Sequence, residues 1–382
     1  MREKKQILWP LIFCSLLAAA FIKVSSSDRE IKAIVLETKD ENIIQSGLTR
    51  IGDQSVKVEI IEGQYKKQSF WAKNHLVGKF ELDNYYKTGD KVIIAILEDQ
   101  SGIQKVQVVD MYRQGHLLGL LILFAVSVIV FAKLIGLKAL ISFFISLGVI
   151  WKVLIPELLK GANPLLMATI VVIILTGVII FLVAGLTAKG ITACAGTILG
   201  LCVAIGITLF FGERMSLYGL MPYAENLMYS GYMHLDFQGI FYAAIIIGAS
   251  GAAMDIGMDI AASMEELVLK KPSIGRRELI ESGFNVGRSV IGTMSTTLLL
   301  AYSGGYLTLL MVFANQQTSL MRMLNMKIVV AELMRTLVGS MGLLMVAPLT
   351  AIIGGYVYTH SHFNTFNQET EEDMPKKEVT FK

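Results

Sequence analysis

The sequence predicts an α-helical polytopic membrane protein of about eight transmembrane helices, with a small extracytoplasmic β-barrel of the OB type after the first. Three observations carry that prediction. Only 17% of the 382 residues are charged and mean hydropathy is +0.58, whereas a soluble protein carries about 25% charged residues. The deficit is concentrated in runs of about 20 apolar residues, each long enough to cross a hydrocarbon layer of roughly 30 Å. One block, residues 25–113, instead alternates apolar and polar residues with the two-residue period of half-buried strands.

The chain opens with MREKKQ and an apolar run from Ile7 to Ile22. A basic flank before a short apolar run fits an uncleaved signal-anchor over residues 1–24; Ala18 and Ala20 also fit a cleaved signal peptide. Either way the next block is exported. Ile31–Glu37, Ser55–Gly63, Lys91–Leu97 and Lys105–Tyr112 supply its strands, with turn residues such as Lys87-Thr88-Gly89-Asp90 between them. About five strands in some 85 residues suit a closed OB-type barrel. Tyr65, Phe70, Trp71, Tyr85 and Tyr86 are candidates for ligand stacking, but core packing or contact with the membrane surface is the favoured role. The barrel is expected to gate, to contact envelope partners or to serve assembly.

Seven further apolar runs make up a membrane domain over residues 114–358: Leu117–Leu134, Ala139–Ile155, Pro164–Thr187, Ile191–Phe211, Gly239–Ala262, Ser289–Ala314 and Ile328–Tyr358. The last is long enough to tilt or to turn near Pro348. Lys133, Lys138, Lys189 and the cluster Lys270, Lys271, Arg276, Arg277, Arg288 fall on one side, which the positive-inside rule makes cytoplasmic. Both termini are then inside and residues 25–113 outside; Arg322 and Lys327 run against the bias. Gly212–Gln238, rich in Met and Tyr, is expected as a short amphipathic segment at the headgroups. Ser263–Asn285 is expected as a short helix along the inner surface. The polar tail 359–382 is expected to be disordered.

Composition also excludes functions. A net charge of +3 without a basic stripe argues against nucleic acid. Cys14, Cys194 and Cys202 form no CxxC pair, and His234 with Asp236 is too sparse for a metal, so no metal and no cofactor is expected. There is no HExxH, GxSxG or Walker A pattern, and the membrane aspartates share one helix instead of facing each other from two, so the chain reads as no enzyme.

The chemistry-bearing feature is Gly248–Leu267, GASGAAMDIGMDIAASMEEL. Asp255 and Asp259 are one helical turn apart and share a face. A carboxylate in mid-membrane costs roughly 3 kcal/mol and usually faces a cavity or translocation path. The next span brings Arg288, Ser295 and Thr296 to a comparable depth, so Arg288 is expected to partner Asp259 and the hydroxyls of Ser295 and Thr296 to face Asp255. These five residues form the candidate proton-coupling site. Gly248, Gly251, Gly339 and Gly342 are expected to pack helices. Glu332 and Arg335, three apart and near the outer leaflet, are expected to form a structural ion pair.

The segments GAAMDIGMDIAASMEEL, LIESGFNVGR (Leu279–Arg288) and IGTMSTTLLLAYSGG (Ile291–Gly305) resemble the YibE/F-like family of bacterial polytopic membrane proteins. An anchor, an exported β-domain and a seven-span block fit that family over nearly the whole chain. The resemblance implies a bacterial cytoplasmic-membrane address without implying a reaction. Ser289 and Thr297 stand where an acidic residue and an asparagine are common in the family. Asp255, the acidic-basic segment after it and Thr296-Thr297-Leu298 are also similar to the central pattern of RND-type permeases, including the SecD/SecF export proteins. Two readings follow: a secondary, proton-coupled transporter or exporter of a small molecule or ion, or a non-transporting scaffold or accessory subunit holding an envelope partner. The expected partners are the lipid bilayer, that substrate, and an envelope protein or a second copy of the chain.

Overall fold

The computed structural model describes residues 30–79, 82–99, 102–217 and 224–360. The apolar run Ile7–Ile22 and the tail from 361 onward lie outside them. The chain divides at Leu140 into two compact units.

In the first unit five strands, β1 (Glu30–Ser46), β2 (Thr49–Ile60), β3 (Ser69–Val77), β4 (Lys91–Asp99) and β5 (Gly102–Met111), close into a barrel in the order β1-β2-β3-β5-β4. All neighbours are antiparallel except β3 and β5, which run parallel. β1 reaches both β2 and β4, and its register shifts after Val35 and after Lys39, as bulges that bend a long strand require. Alternation places Val56, Val58 and Ile60 of β2 and Ala72 and Leu76 of β3 inside. In the same phase it places Gln54 and Asn74 inside, where both are buried. They are satisfied by each other and by the chain: Asn74 donates to Gln54 Oε1 (3.2 Å) and to the Asn84 carbonyl (2.7 Å), and Gln54 donates to the Tyr86 carbonyl (3.0 Å) and accepts from the Tyr86 amide (3.1 Å). This hub pins the β3–β4 connection and seats Tyr86 in the core at 1% exposure.

The helices are α1 (Gln114–Val149), α2 (Ile155–Leu159), α3 (Pro164–Ala184), α4 (Ala188–Met215), α5 (Ala224–Tyr229), α6 (Phe237–Lys270), α7 (Arg276–Gly305), α8 (Leu307–Asn315), α9 (Leu320–Asn325) and α10 (Lys327–Thr359). A π-helical turn at Ile150–Leu154 joins α1 to α2; Pro156 lacks the N–H that would continue the regular ladder there. The two runs expected as separate first spans therefore lie in one 46-residue helical stretch, Gln114–Leu159. It is broken at Lys133, where φ is 49° and ψ −122°. A Cβ on Gly136 would sit 2.4 Å from the Val128 carbonyl oxygen. Eight residues in a straight helix are about 12 Å apart, so the chain turns sharply at the break.

Caps set the other boundaries. Asn163 accepts from the Leu166 amide with Pro164 at the first position of α3, Thr187 accepts from Gly190, and Asp236 from Gly239. The described residues hold five helices long and apolar enough to cross a membrane, or six if α7 and α8, bent by 68°, form one span. α10 runs unbroken through Pro348, so no interfacial turn forms there. The expected surface helix over Ser263–Asn285 is absent too: residues 263–270 continue α6, a five-residue link follows, and α7 begins at Arg276. Between the end of α4 at Met215 and the start of α6 at Phe237, the expected headgroup segment shows the six-residue α5 among its described residues.

α6 and α10 lie at the centre of the second unit, against α3, α4 and α7. Their buried sides supply Ala249, Ala253, Ile256, Ile260, Val346 and Ala347 to one core. Small residues make the helix contacts close. A Cβ on Gly196 would meet Thr350 Cα at 2.7 Å, and one on Gly200 would meet Val346 Cα at 3.0 Å, so α4 lies directly on the backbone of α10.

Candidate functional site

Gly248, Gly251, Asp255, Asp259 and Glu266 are all exposed, and they recur at helical spacing along one side of α6. The opposite side is the buried one. Asp255 lies two residues from the midpoint of the helix between Asp236 and Lys270, with 15 residues, about 22 Å, from it to Lys270. That is deeper than a sequence reading that ends the span at Ala262 gives. Among the described residues neither Asp255 nor Asp259 has an ion-pair partner within 4 Å.

α7 packs antiparallel on the buried side of α6. A Cβ on Gly283 would meet Met264 Sδ at 3.0 Å, and one on Gly287 would meet Ile260 Cδ1 at 3.4 Å and Ala347 Cβ at 2.9 Å. A step of four residues up α7 thus matches four residues down α6. Continuing that register sets Asp259 level with Arg288, and Asp255 level with Gly292. Ser295 and Thr296 fall about one turn farther along, level with Gly251, so the expected facing of Asp255 and these hydroxyls is off by a turn. Nor does Arg288 pair with Asp259: its Nη1 donates to Asn285 Oδ1 on its own helix at 3.1 Å. The exposed side of α7 is nonetheless polar, with Asn285, Arg288, Ser289, Thr293, Thr296 and Thr297; Ser295 is half-buried.

Gly248 and Gly251, expected to pack helices, are both exposed. A Cβ on Gly251 would touch nothing within 4 Å. Both line a cavity of about 200 Å³ with Ser146, Ile150, Val171 and Met254, walled by the π-helical turn, α3 and α6. Its hydroxyls are turned to their own helices: Ser146 bonds the Ser142 carbonyl and Ser250 that of Ile247. The cavity is therefore apolar, and along α6 it reaches Met254, the residue before Asp255. A Cβ on Gly339 would be in ordinary contact with Ala249 Cβ at 3.9 Å, and one on Gly342 would press on Ala204 Cβ at 2.9 Å.

At the Lys270 end of α6, Lys189 Nζ bonds Glu265 Oε2 at 2.9 Å and ties α4 to α6. Near the other end, Arg335 Nη1 and Glu332 Oε1 are 3.2 Å apart, and both side chains are about one-fifth exposed. The Tyr306 hydroxyl donates to the same Glu332 oxygen at 2.6 Å. Tyr306 has no counterpart in the sequence reading; the only signal for it is its position after Gly304-Gly305, at the bend between α7 and α8. The Arg335 guanidinium lies 5.8 Å from the Phe241 ring, and its Nε is buried with no hydrogen-bond partner. This cluster borders a cavity of about 120 Å³ with Leu299, Ser303 and Phe313. Phe241 and Asp255 are 14 residues apart on α6, about 21 Å, so the two polar regions are separate.

No group of three or more His, Cys, Asp or Glu side chains suited to a metal occurs among the described residues. Asp236 caps α6, and His234 Nε2 lies 3.3 Å from the Leu159 carbonyl. Of the barrel aromatics, Tyr86 is core, and burial pushes its phenol up to about 12. Tyr65 and Phe70 pack against that core. Tyr85 donates to Asp40 and lies under the Arg50 guanidinium at 3.6 Å, while Trp71 is 45% exposed with Lys39 Nζ 4.9 Å from its ring.

Two family models match the chain: that of the YibE/F-like protein over residues 120–360, and that of the YibE/F family N-terminal domain over residues 27–111. No curated protein and no solved structure matches it.

Proposed function

Because this chain belongs to the YibE/F-like family, with apolar helices long enough to span a membrane, we propose that it is a secondary transporter or exporter coupled to protons or another small cation through Asp255. The observation that carries the reading is the open acidic stripe midway along a 34-residue membrane helix. Lipid solvates neither carboxylate, at roughly 3 kcal/mol each on insertion scales. The stripe is therefore retained against a cost, and a face that meets water or a moving partner accounts for it. Two carboxylates one turn apart repel when both are ionised, so uptake of one cation at Asp255 relieves the pair. α7, the next helix, also exposes a polar side, with Asn285, Arg288, Thr293 and Thr296. In this reading about eight spans lie in a bacterial cytoplasmic membrane, both termini are inside and the barrel is outside at the substrate's far side. No covalent chemistry is assigned to the chain.

The test is Asp255→Asn in a deletion strain grown across a panel of metals, drugs, pH values and envelope stresses. The variant should reach the membrane near the wild-type level yet fail to restore growth in the condition where the wild type does, while Asp255→Glu restores part of it. Full rescue by Asp255→Asn would end the coupling proposal. Loss of the variant protein from the membrane would instead favour the scaffold reading, in which the stripe is an assembly face.

A further inference from the structure

We infer that the end of the barrel carrying the β1–β2 hairpin is seated in the lipid interface of the membrane that its own first described helix enters. Strand direction fixes which end this is. β1 is antiparallel to β4, β4 is antiparallel to β5, and β3 is parallel to β5. β1, β3 and β5 therefore all run the same way. Their C-terminal ends bring together the hairpin at Gly47-Leu48, the start of the β3–β4 connection at Gly78, and Met111, three residues before α1 begins at Gln114. The barrel end that hands the chain to a membrane helix is the end where the hairpin projects.

That end is apolar on its outside. Ile44 is opposite Ile51, and Ile51 is opposite Val77, so three large side chains form one row across three strands. They are 73%, 48% and 45% exposed; Leu48 at the tip is 87% exposed and Leu82 63%. A contiguous patch of this kind on a small domain marks a contact surface. Cations flank it. Arg50 is in the hairpin, Lys79 follows β3, and Arg113 precedes α1, held by Asp110 at 2.7 Å and Asn84 at 2.6 Å. Tyr85, half-buried, lies at the same end against the Arg50 guanidinium. Apolar tip, aromatic flank and basic rim are the composition that partitions into the headgroup boundary. The opposite end has the contrary character: the β2–β3 loop there reads Glu62-Gly63-Gln64-Tyr65-Lys66-Lys67-Gln68.

The test uses the full chain in phosphatidylcholine–phosphatidylglycerol vesicles, with Cys14, Cys194 and Cys202 replaced by alanine and a nitroxide placed at Leu48→Cys or Lys66→Cys. Leu48 is exposed, so its substitution leaves the barrel core intact, and the circular dichroism of each variant verifies its fold. The label at 48 should be several-fold more accessible to oxygen, relative to a water-soluble nickel chelate, than the label at 66. Equal preference for the nickel chelate at both positions overturns the proposal. Shielding of position 48 from oxygen and chelate alike also overturns it, because the tip is then covered by protein.

Discussion

Gln54 offers the sharpest check on how the barrel is held. It is fully buried, and its amide meets both backbone groups of Tyr86 as well as the Asn74 side chain. Gln54→Leu keeps the volume and removes every one of those bonds. Asn74 retains the Asn84 carbonyl, but the amide and carbonyl of Tyr86 lose their partner inside a closed barrel. Each buried, unsatisfied group costs about 1–3 kcal/mol, so the expected loss is about 4 kcal/mol. A domain of this size has a total stability of about 4–12 kcal/mol, so a third or more of it would go. The assay is urea unfolding of residues 27–113 as a soluble fragment. That fragment contains one tryptophan, Trp71, on half-exposed β3, which gives a clean fluorescence signal. With a denaturant slope of about 1–1.5 kcal/mol per molar, the midpoint should fall by about 3 M. Gln45→Leu, whose exposed amide reaches only the Gly47 carbonyl at 3.1 Å, is the control and should leave it unchanged. A Gln54→Leu midpoint within about 0.5 M of the control would refute the argument that this hub pins the β3–β4 connection.

Two further predictions concern alkali and helix contact. Burial raises the Tyr86 phenol from 10.0 to about 12, so the folded barrel holds the neutral form more firmly than the unfolded chain does. Its contribution is fully present below pH 10 and is lost as pH rises through 12, by about 3 kcal/mol in all. Tyr86→Phe should remove that slope in a pH series of urea midpoints. Tyr85, which Asp40 also holds up, should leave a residual slope in the variant. In the helical unit, Gly196→Leu puts a side chain onto Thr350 Cα at 2.7 Å and should destabilise the protein in detergent by about 3 kcal/mol or more, measured by unfolding in mixed micelles. Gly206→Leu, whose Cβ meets nothing within 4 Å, should change little.

Much of the fold is legible from period alone. Two-residue alternation marks strands over residues 31–112, and the structure closes them into a barrel, with Tyr86 and not an open stacking face at its core. Apolar length marks the membrane helices, because a span must satisfy its backbone internally over a fixed thickness. Boundaries are less legible. Glu265 and Glu266 lie beyond the expected end of the span at Ala262, yet α6 continues through them to Lys270, since a helix can leave the hydrocarbon without stopping. Lys133 and Lys138 mark the boundary between two apolar runs, and the backbone does turn at Lys133, yet helix resumes there without a loop.

What the sequence determines by itself is which residues share a helix face: Asp255 with Asp259, and Glu332 with Arg335, because these follow from 3.6 residues per turn. Which face meets which neighbour is decided only by packing. Gly283 and Gly287, placed against Met264 and Ile260, set the register that puts Asp255 level with Gly292, about one turn short of Thr296. The same close packing brings Tyr306 onto Glu332 across 26 residues of chain. Such registers depend on distances of a few ångströms between small side chains on separate helices, and no periodicity within one helix encodes them.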